Sequence, residues 1–364
     1  MLKYQSPKNM KHFFSFCLLV VGCVMSYGQS NLHQQAFNEA KSAGFSGVAL
    51  VANNGKIVMH ESAGMRRYES IEPMGKNDIF EWASVSKQFT AMIIMMLKEK
   101  GKLTYDDPVS QYVKIPYQNI TIRHLLTHTS GLPDYHELMD RHWDKSKVAG
   151  NPDILEILNR HAPPILFMPG ERYEYSNTGY LLLGSIAEKA SDEDFITLCR
   201  KWIFKPLKMT QTDIRSHAEK ANIRAFAVGH LPDSSKQYVN ANRFRNSDFT
   251  FWLGNRKGPG RISGSATDLL RWDRALYTQK LVRRKTLEEA FSPARLNDGT
   301  EIPYGFGWEV LKDEKGHKVV QHTGGNPGYN TLIVRFIETQ KTIIILNNNA
   351  HESMDRLVEA LKKE

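Results

Sequence analysis

Cysteine is nearly absent from this chain. Its 364 residues hold three, and two of them, Cys17 and Cys23, fall in an apolar N-terminal segment, leaving Cys199 alone in the remainder. One thiol excludes an internal disulfide and a cysteine-based metal site there. Within FITLCRKW, Cys199 reads as a small buried hydrophobe. Arg-rich runs with interleaved aromatics are also missing, so nucleic acid is not an expected partner. No G-x-S-x-G occurs, and AGFSGV at 43–48 only approaches it, which argues against an α/β-hydrolase nucleophile elbow. H-E-x-x-H is absent too. His136 and Glu137 are followed by Leu138, Met139, Asp140 and Arg141 before His142, a spacing that misses one helical face, so no metal site is expected. Repeats and low-complexity linkers are lacking as well.

Long apolar runs are confined to the N-terminus. MLKYQSPKNMKHFFSFCLLVVGCVMSYGQS carries three lysines and no acid, then an apolar run from Phe13 to Met25, then small and polar residues at Ser26, Gly28 and Gln29. That run is short for a membrane span and has the three regions of an export signal, so residues 1–29 are expected to be cleaved on export to the periplasm or beyond. VVGC at 20–23 offers lipidation at Cys23 as an alternative, but the residues after it, VMSYG, stay apolar where a lipoprotein turns polar. No transmembrane segment is expected in the mature chain. The formal charge is 48 − 39 = +9, and removing the three leader lysines leaves +6. That mild positive field suits an anionic substrate or envelope without selecting one.

What is present has a clear layout. NLHQQAFNEAKSAG has helical periodicity and ends on Gly44, and GVALVANNGKIVMHES places two β-branched runs around Asn53, Asn54 and Gly55, a hairpin signal. The other end mirrors it: KVVQHTGG, TLIVRFIE and KTIIILNNN read as three strands, and ESMDRLVEALKKE as a closing amphipathic helix. The middle is helical. SKQFTAMIIMMLKEKGK is apolar nearly all round and so a buried helix, with further helical patterns at 121–127, 152–161, 177–190, 192–204 and 265–278, punctuated by Pro and Gly as in MPGERY and GNRKGPGR. The expected class is α+β. One domain, residues 30–364, has an antiparallel sheet layer from about 30–80 and 300–364 and an inserted, mostly α-helical region at about 85–300. A site between the two is the default expectation. Segments 135–165 and 230–260 read as cleft-shaping loops.

Three short motifs carry chemistry. Ser84 and Lys87 form the one S-x-x-K in the chain, within EWASVSKQFT. Residues three apart on a helix share a face, so the Lys87 amine can reach the Ser84 hydroxyl. A serine at a helix N-terminus meets free N–H groups that favour negative charge on an attacked carbonyl. A lysine buried beside Phe89 to Leu97 has its pKa lowered, which makes it a usable base. The bland alternative is a helix cap and a solvated lysine; Ser86 points off the Lys87 face. Tyr-x-Asn occurs three times, at 117–119, 175–177 and 238–240, but Tyr175 and Asn177 sit in a turn directly before an apolar helix, where both can face a cleft. There the alternative is a core tyrosine with Asn177 as helix cap. QHTGGNPGY at 321–329 ends a strand, and Gly324 and Gly325 let a substrate backbone approach its edge. Ser130, in HTSG beside His128, reads as a hydroxyl bonding the backbone of a tight turn rather than a nucleophile.

S-x-x-K, Y-x-N and H-T-G in this order resemble the serine β-lactamase-related hydrolases, on the class C β-lactamase, DD-peptidase, D-aminopeptidase and esterase branch. ITIRHLLTHTSGLPDY at 120–135 and RISGSATDLLRWDRAL at 261–276 are similar to stretches of the same group, and the resemblance covers about residues 42–350. It implies Ser84 as acyl-forming nucleophile, Lys87 and Tyr175 sharing proton transfer, Asn177 binding the substrate amide, the backbone N–H groups of Ser84 and Gly325 as oxyanion hole, and His322 and Thr323 lining the strand edge beneath the substrate. It also implies no cofactor, and a small-molecule or peptide substrate with peptidoglycan-derived peptides among the candidates. His322 departs from the lysine of class C β-lactamases. A histidine is mostly neutral near pH 7, and Gly325 removes another carboxylate contact, so peptide or ester substrates gain weight over β-lactams. A carboxylesterase, a weak β-lactamase and a penicillin-binding sensor without turnover remain the alternatives.

Overall fold

The computed structural model describes residues 31–351 and 353–363, so the expected leader, with Cys23, lies outside the described residues. Its centre is a six-stranded antiparallel sheet built from both ends of the chain. The strands are β1 (Gly47–Asn53), β2 (Lys56–Ala63), β3 (Glu309–Lys312), β4 (Lys318–Asn326), β5 (Tyr329–Phe336) and β6 (Lys341–Asn347), in the spatial order β3-β4-β5-β6-β1-β2. The join between the ends is the β1–β6 ladder, with Gly47 opposite Asn347 and Leu50 opposite Ile344. The β1–β2 turn places Asn54 and Gly55 at φ +49° and +76°, the left-handed pair that a two-residue hairpin needs.

Both faces of the sheet are covered, and the period of two sorts one apolar run between two cores. Ile343 and Ile345 of β6 pack with Val51, Phe37 and Leu357, under helix α1 (residues 31–42) and the C-terminal helix Ser353–Lys362. Ile344 and Leu346 face the other way, into the large core shared with the helical region. That region contains α2 (Lys87–Glu99), α3 (Asn177–Ser191) and α4 (Ala266–Ala275). Ten of the thirteen residues of α2 are buried, as its all-round apolar sequence requires. α4 is tied to the sheet by a fully buried ion pair, Arg335 to Asp273 at 2.6 Å. No described helix is long and apolar enough to cross a membrane.

Both segments read as cleft-shaping loops do contribute to the cleft lining, but they hold more regular structure than loops. Residues 135–165 carry the helix Asn151–His161, as the pattern at 152–161 predicts, and also a helix Tyr135–His142, capped by Asp134, that the sequence reading did not include. Residues 230–260 contain a short hairpin, His230–Pro232 with Tyr238–Asn240, and a single helical turn at Phe249–Trp252. A second small sheet, Phe80–Glu81, Ile262–Gly264 and Asp213–Ile214, also forms inside the helical region. Strands of two or three residues leave no periodicity to read, yet this one carries the turn that presents Ser84.

Candidate active site

Ser84 sits on a tight 3-10 turn, Ala83–Ser86, that runs directly into α2. The turn is braced on three sides. Trp82 N–H donates to Ile262 O at 2.9 Å, Thr331 Oγ1 donates to Trp82 O at 2.9 Å, and Ile262 N–H donates to Ser86 Oγ at 3.1 Å. Ser86 is therefore part of the support. Ala83 is held at φ +47°, a conformation an L-residue adopts at a cost of about 1–2 kcal/mol. Strain at the residue before a half-exposed serine marks a position fixed by its surroundings.

Lys87 is fully buried one turn on. Its Nζ lies 3.0 Å from Ser84 Oγ, 2.8 Å from Asn177 Oδ1 and 2.9 Å from Pro259 O. The two carbonyl oxygens can only accept; the Ser84 hydroxyl alone of the three can give a proton. Burial, and secondarily the charge of Arg256, hold the amine's pKa well below its usual value, with Asp134 opposing weakly. A neutral amine has two N–H groups for the two carbonyls and one lone pair left, directed at Ser84. That is the arrangement a general base requires.

Asn177 is the first residue of α3, and the helix cap is its neighbour: Ser176 Oγ accepts from Gly179 N–H at 3.1 Å. The Asn177 side chain is thus left to face the cleft. With Oδ1 on Lys87, its Nδ2 has no partner among the described residues. Tyr175 exposes about 40% of its surface, yet desolvation around its hydroxyl raises the pKa, offset in part by the nearby Ser84 hydroxyl. It stays a phenol, able to donate.

The H-T-G strand is placed differently from the expectation for His322. Its ring is buried behind Tyr304, with Nε2 2.9 Å from the Tyr304 hydroxyl and Nδ1 2.6 Å from Thr323 O. A carbonyl only accepts, so Nδ1 carries the proton and both ring nitrogens are used. Burial, then the nearness of Lys87, lower its pKa to about 3. His322 is a neutral brace, and its ring does not line the cleft. Alternation along β4 puts Thr323 on the opposite face, exposed. Gly324 packs directly on the Ser84 turn, for a Cβ there would stand 2.3 Å from Trp82 O and 2.3 Å from Thr331 Oγ1. At Gly325 a Cβ would meet nothing within 4 Å, and the residue borders the cleft beside Ser84. β3 pairs with β4 only as far as Gln321, so among the described residues His322–Asn326 has a free outer edge.

Several neighbours were given no role at the site by the sequence reading. Pro259 and Gly258 belong to GNRKGPGR, visible as a chain breaker; Gly258 adopts φ +107° and a Cβ there would strike Tyr180 O at 2.1 Å, so the strap bearing Pro259 O can lie flat on α3. His128, from HTSG, accepts Ser176 N–H at Nδ1 (3.0 Å) and packs 4.3 Å from the Tyr175 ring. Ser130 is buried, but its Oγ makes no hydrogen bond within the described residues, contrary to the turn-bonding expectation. No group of three His, Cys, Asp or Glu side chains among the described residues could hold a metal. A cleft of about 750 Å³ opens at Ser84, Asn177 and Gly325 and runs between helix Tyr135–His142 and the segment 245–260.

Comparison with known proteins bears on the family and the fold. Penicillin-binding protein 4* of Bacillus subtilis (strain 168) is 39% identical over 312 residues, covering 85% of this chain and 69% of that protein. The crystal structure of a penicillin binding protein from Bacillus halodurans superposes with a TM-score of 0.78 at 24% identity, covering 91% of this chain and 98% of the other. D-amino acid amidase from Ochrobactrum anthropi SV3 gives 0.73 at 23%, covering 92% and 99%. These two establish a shared fold. The Beta-lactamase family model matches residues 34–363, and with it the chain belongs to the beta-lactamase family of serine hydrolases.

Proposed function

We propose that this chain is an exported serine hydrolase that cleaves amide or ester bonds through a Ser84 acyl-enzyme, acting as a DD-peptidase-like peptidase or amidase. The observation that carries the reading is the buried Lys87 amine, its two N–H groups taken by Asn177 Oδ1 and Pro259 O and its third direction on Ser84 Oγ. In the proposed reaction Lys87 removes the Ser84 proton as Oγ attacks the carbonyl carbon. Negative charge on the carbonyl oxygen is met by the N–H groups of Ser84 and Gly325, beside which β4 is packed. Asn177 Nδ2 holds the acyl-side carbonyl, and the Thr323–Gly325 edge supports the substrate backbone. The bond to the leaving group breaks as Tyr175 delivers its proton, which Lys87 replenishes. Water then enters, and the same groups act in reverse to free the acid.

A neutral, occluded His322 supplies no fixed charge for a β-lactam carboxylate, which favours peptide, amide or ester substrates over β-lactams. The test is turnover of an acyl-D-Ala-D-Ala peptide, a D-amino acid amide, a nitrophenyl ester and a cephalosporin, each with Ser84→Ala beside the native chain. Turnover of one of the first three that disappears in Ser84→Ala is the expected result. Equal turnover by Ser84→Ala refutes the proposal.

A further inference from the structure

The side of Ser84 that holds Asn177 and Gly325 opens into the cleft, and that side has its own chemistry. Tyr175 packs on His128, Tyr304 and His322, with ring centroids 4.3, 6.4 and 6.1 Å away, and none of these four residues lines the cleft. A leaving group departs toward its proton donor, here Tyr175. The cavity beyond Asn177 and Gly325 is therefore left for the acyl portion. Its far wall is aromatic, formed by Tyr135, Phe249 and Trp252. Three acids that line it are engaged: Asp140 pairs with Lys145, Glu137 pairs with Arg141 at 3.6 Å, and Asp248 accepts Trp252 Nε1–H at 3.0 Å.

Arg245 also lines the cleft but is exposed to solvent; the buried exception is Arg256. It lines the same cleft while only 5% exposed, and its guanidinium lies 5.8 Å over the Phe249 ring. Nη1 donates to Leu253 O at 3.1 Å. No carboxylate among the described residues pairs with it, and Nε and Nη2 have no partner there. Those two groups form one edge of the guanidinium, the edge that Arg200 in this same chain presents to both oxygens of Asp213 at 2.8 Å each. Burying an unpaired charge is costly, and a planar carboxylate on that edge offsets the cost with two charge-assisted hydrogen bonds.

We propose that this cavity is an acyl-group subsite for anionic acyl chains, in which the substrate carboxylate docks on the Nε/Nη2 edge of Arg256 and its stem lies along Phe249 and Trp252. The inference rests on the Ser84 acyl-enzyme reading and names the substrate class within it. Arg256 is a specificity residue.

The test uses the full chain with 4-nitrophenyl monoesters of succinic, glutaric and adipic acid against the neutral esters of matching length. The native chain is expected to prefer one of the anionic esters by at least about tenfold in kcat/KM, and Arg256→Gln to lower that anionic-to-neutral ratio by about 10- to 100-fold, with Arg256→Lys between. The ratio is the readout because Arg256 also acts on Lys87, a change common to both esters. Should Arg256→Gln not fold, the native ratio and its decline with added salt decide the matter. Equal ratios in native and Gln proteins, or no anionic preference in the native chain, overturn the subsite while leaving Ser84 in place, as labelling of Ser84 by a fluorophosphonate then shows. Failure of that reagent to label Ser84 overturns the underlying reading and the subsite with it.

Discussion

Two adjacent glycines give the sharpest mutational contrast in the site. A Cβ at Gly324 would stand 2.3 Å from Trp82 O, on the backbone of the Ser84 turn, whereas one at Gly325 would meet nothing within 4 Å. Ordinary carbon contact lies near 3.5 Å, so Gly324→Ala must open the gap between β4 and the turn by about 1 Å. The Trp82–Thr331 hydrogen bond spans the same gap and yields with it. That displacement carries the Gly325 N–H away from the Ser84 N–H. A misplacement of this size costs about 100-fold, or about 2.7 kcal/mol in the barrier, and overpacking costs about 1–3 kcal/mol in stability. The assay is kcat and KM on a nitrophenyl ester together with thermal unfolding. Gly324→Ala is expected to lose about 100-fold mainly in kcat with a lowered Tm, and Gly325→Ala no more than about tenfold. Full activity in Gly324→Ala, or equal losses in both, would refute the claim that strand and turn are held in register by this contact.

Other perturbations have signs fixed by the same geometry. Lys87→Met is expected to reduce Ser84 acylation by about 10²–10⁴-fold. Because the Lys87 pKa is lowered on folding, the unfolded chain binds the extra proton below its own pKa near 10.4; urea titrations should show the native protein gaining stability over Lys87→Met as pH rises towards that value and losing it as pH falls to the folded pKa. His322 follows the same rule in acid. With its folded pKa at about 3, it should make stability rise by up to about 1.4 kcal/mol per pH unit between that value and the unfolded pKa near 6.5, a slope His322→Gln reduces. Asp273→Ala leaves Arg335 buried without its partner and should cost about 3–5 kcal/mol in denaturant unfolding, with Ser84 labelling retained in the folded fraction.

How much of this was legible in the sequence follows from how each feature is encoded. The sheet could be read because β-branched runs and the Asn54–Gly55 turn are local signals, and joining the chain ends needs only that the strands find one another. Ser84 and Lys87 were readable because helical spacing fixes their separation. Asn177 and Tyr175 needed context, and the cap at Ser176 was one residue from the position considered. The role of His322 was not legible: nothing near it in sequence reveals that the Tyr304 hydroxyl, eighteen residues earlier, occupies its Nε2. Pro259 O and Arg256 were hidden for the same reason. A backbone carbonyl has no sequence signature, and an arginine without a partner is recognised only when every neighbour is in place. The 135–142 helix was missed because half its residues face solvent and its charges mask the apolar positions.

The central claim is that Ser84, deprotonated by a neutral Lys87, becomes covalently acylated. Its most direct test is intact-mass spectrometry with peptide mapping after exposure to a fluorophosphonate and to benzylpenicillin, in the native chain, Ser84→Ala and Lys87→Met. The account predicts one fluorophosphonate adduct per chain, mapped to Ser84, absent from Ser84→Ala and strongly slowed in Lys87→Met. An adduct that persists in Ser84→Ala, or that maps to Ser86 or Ser130, would contradict it.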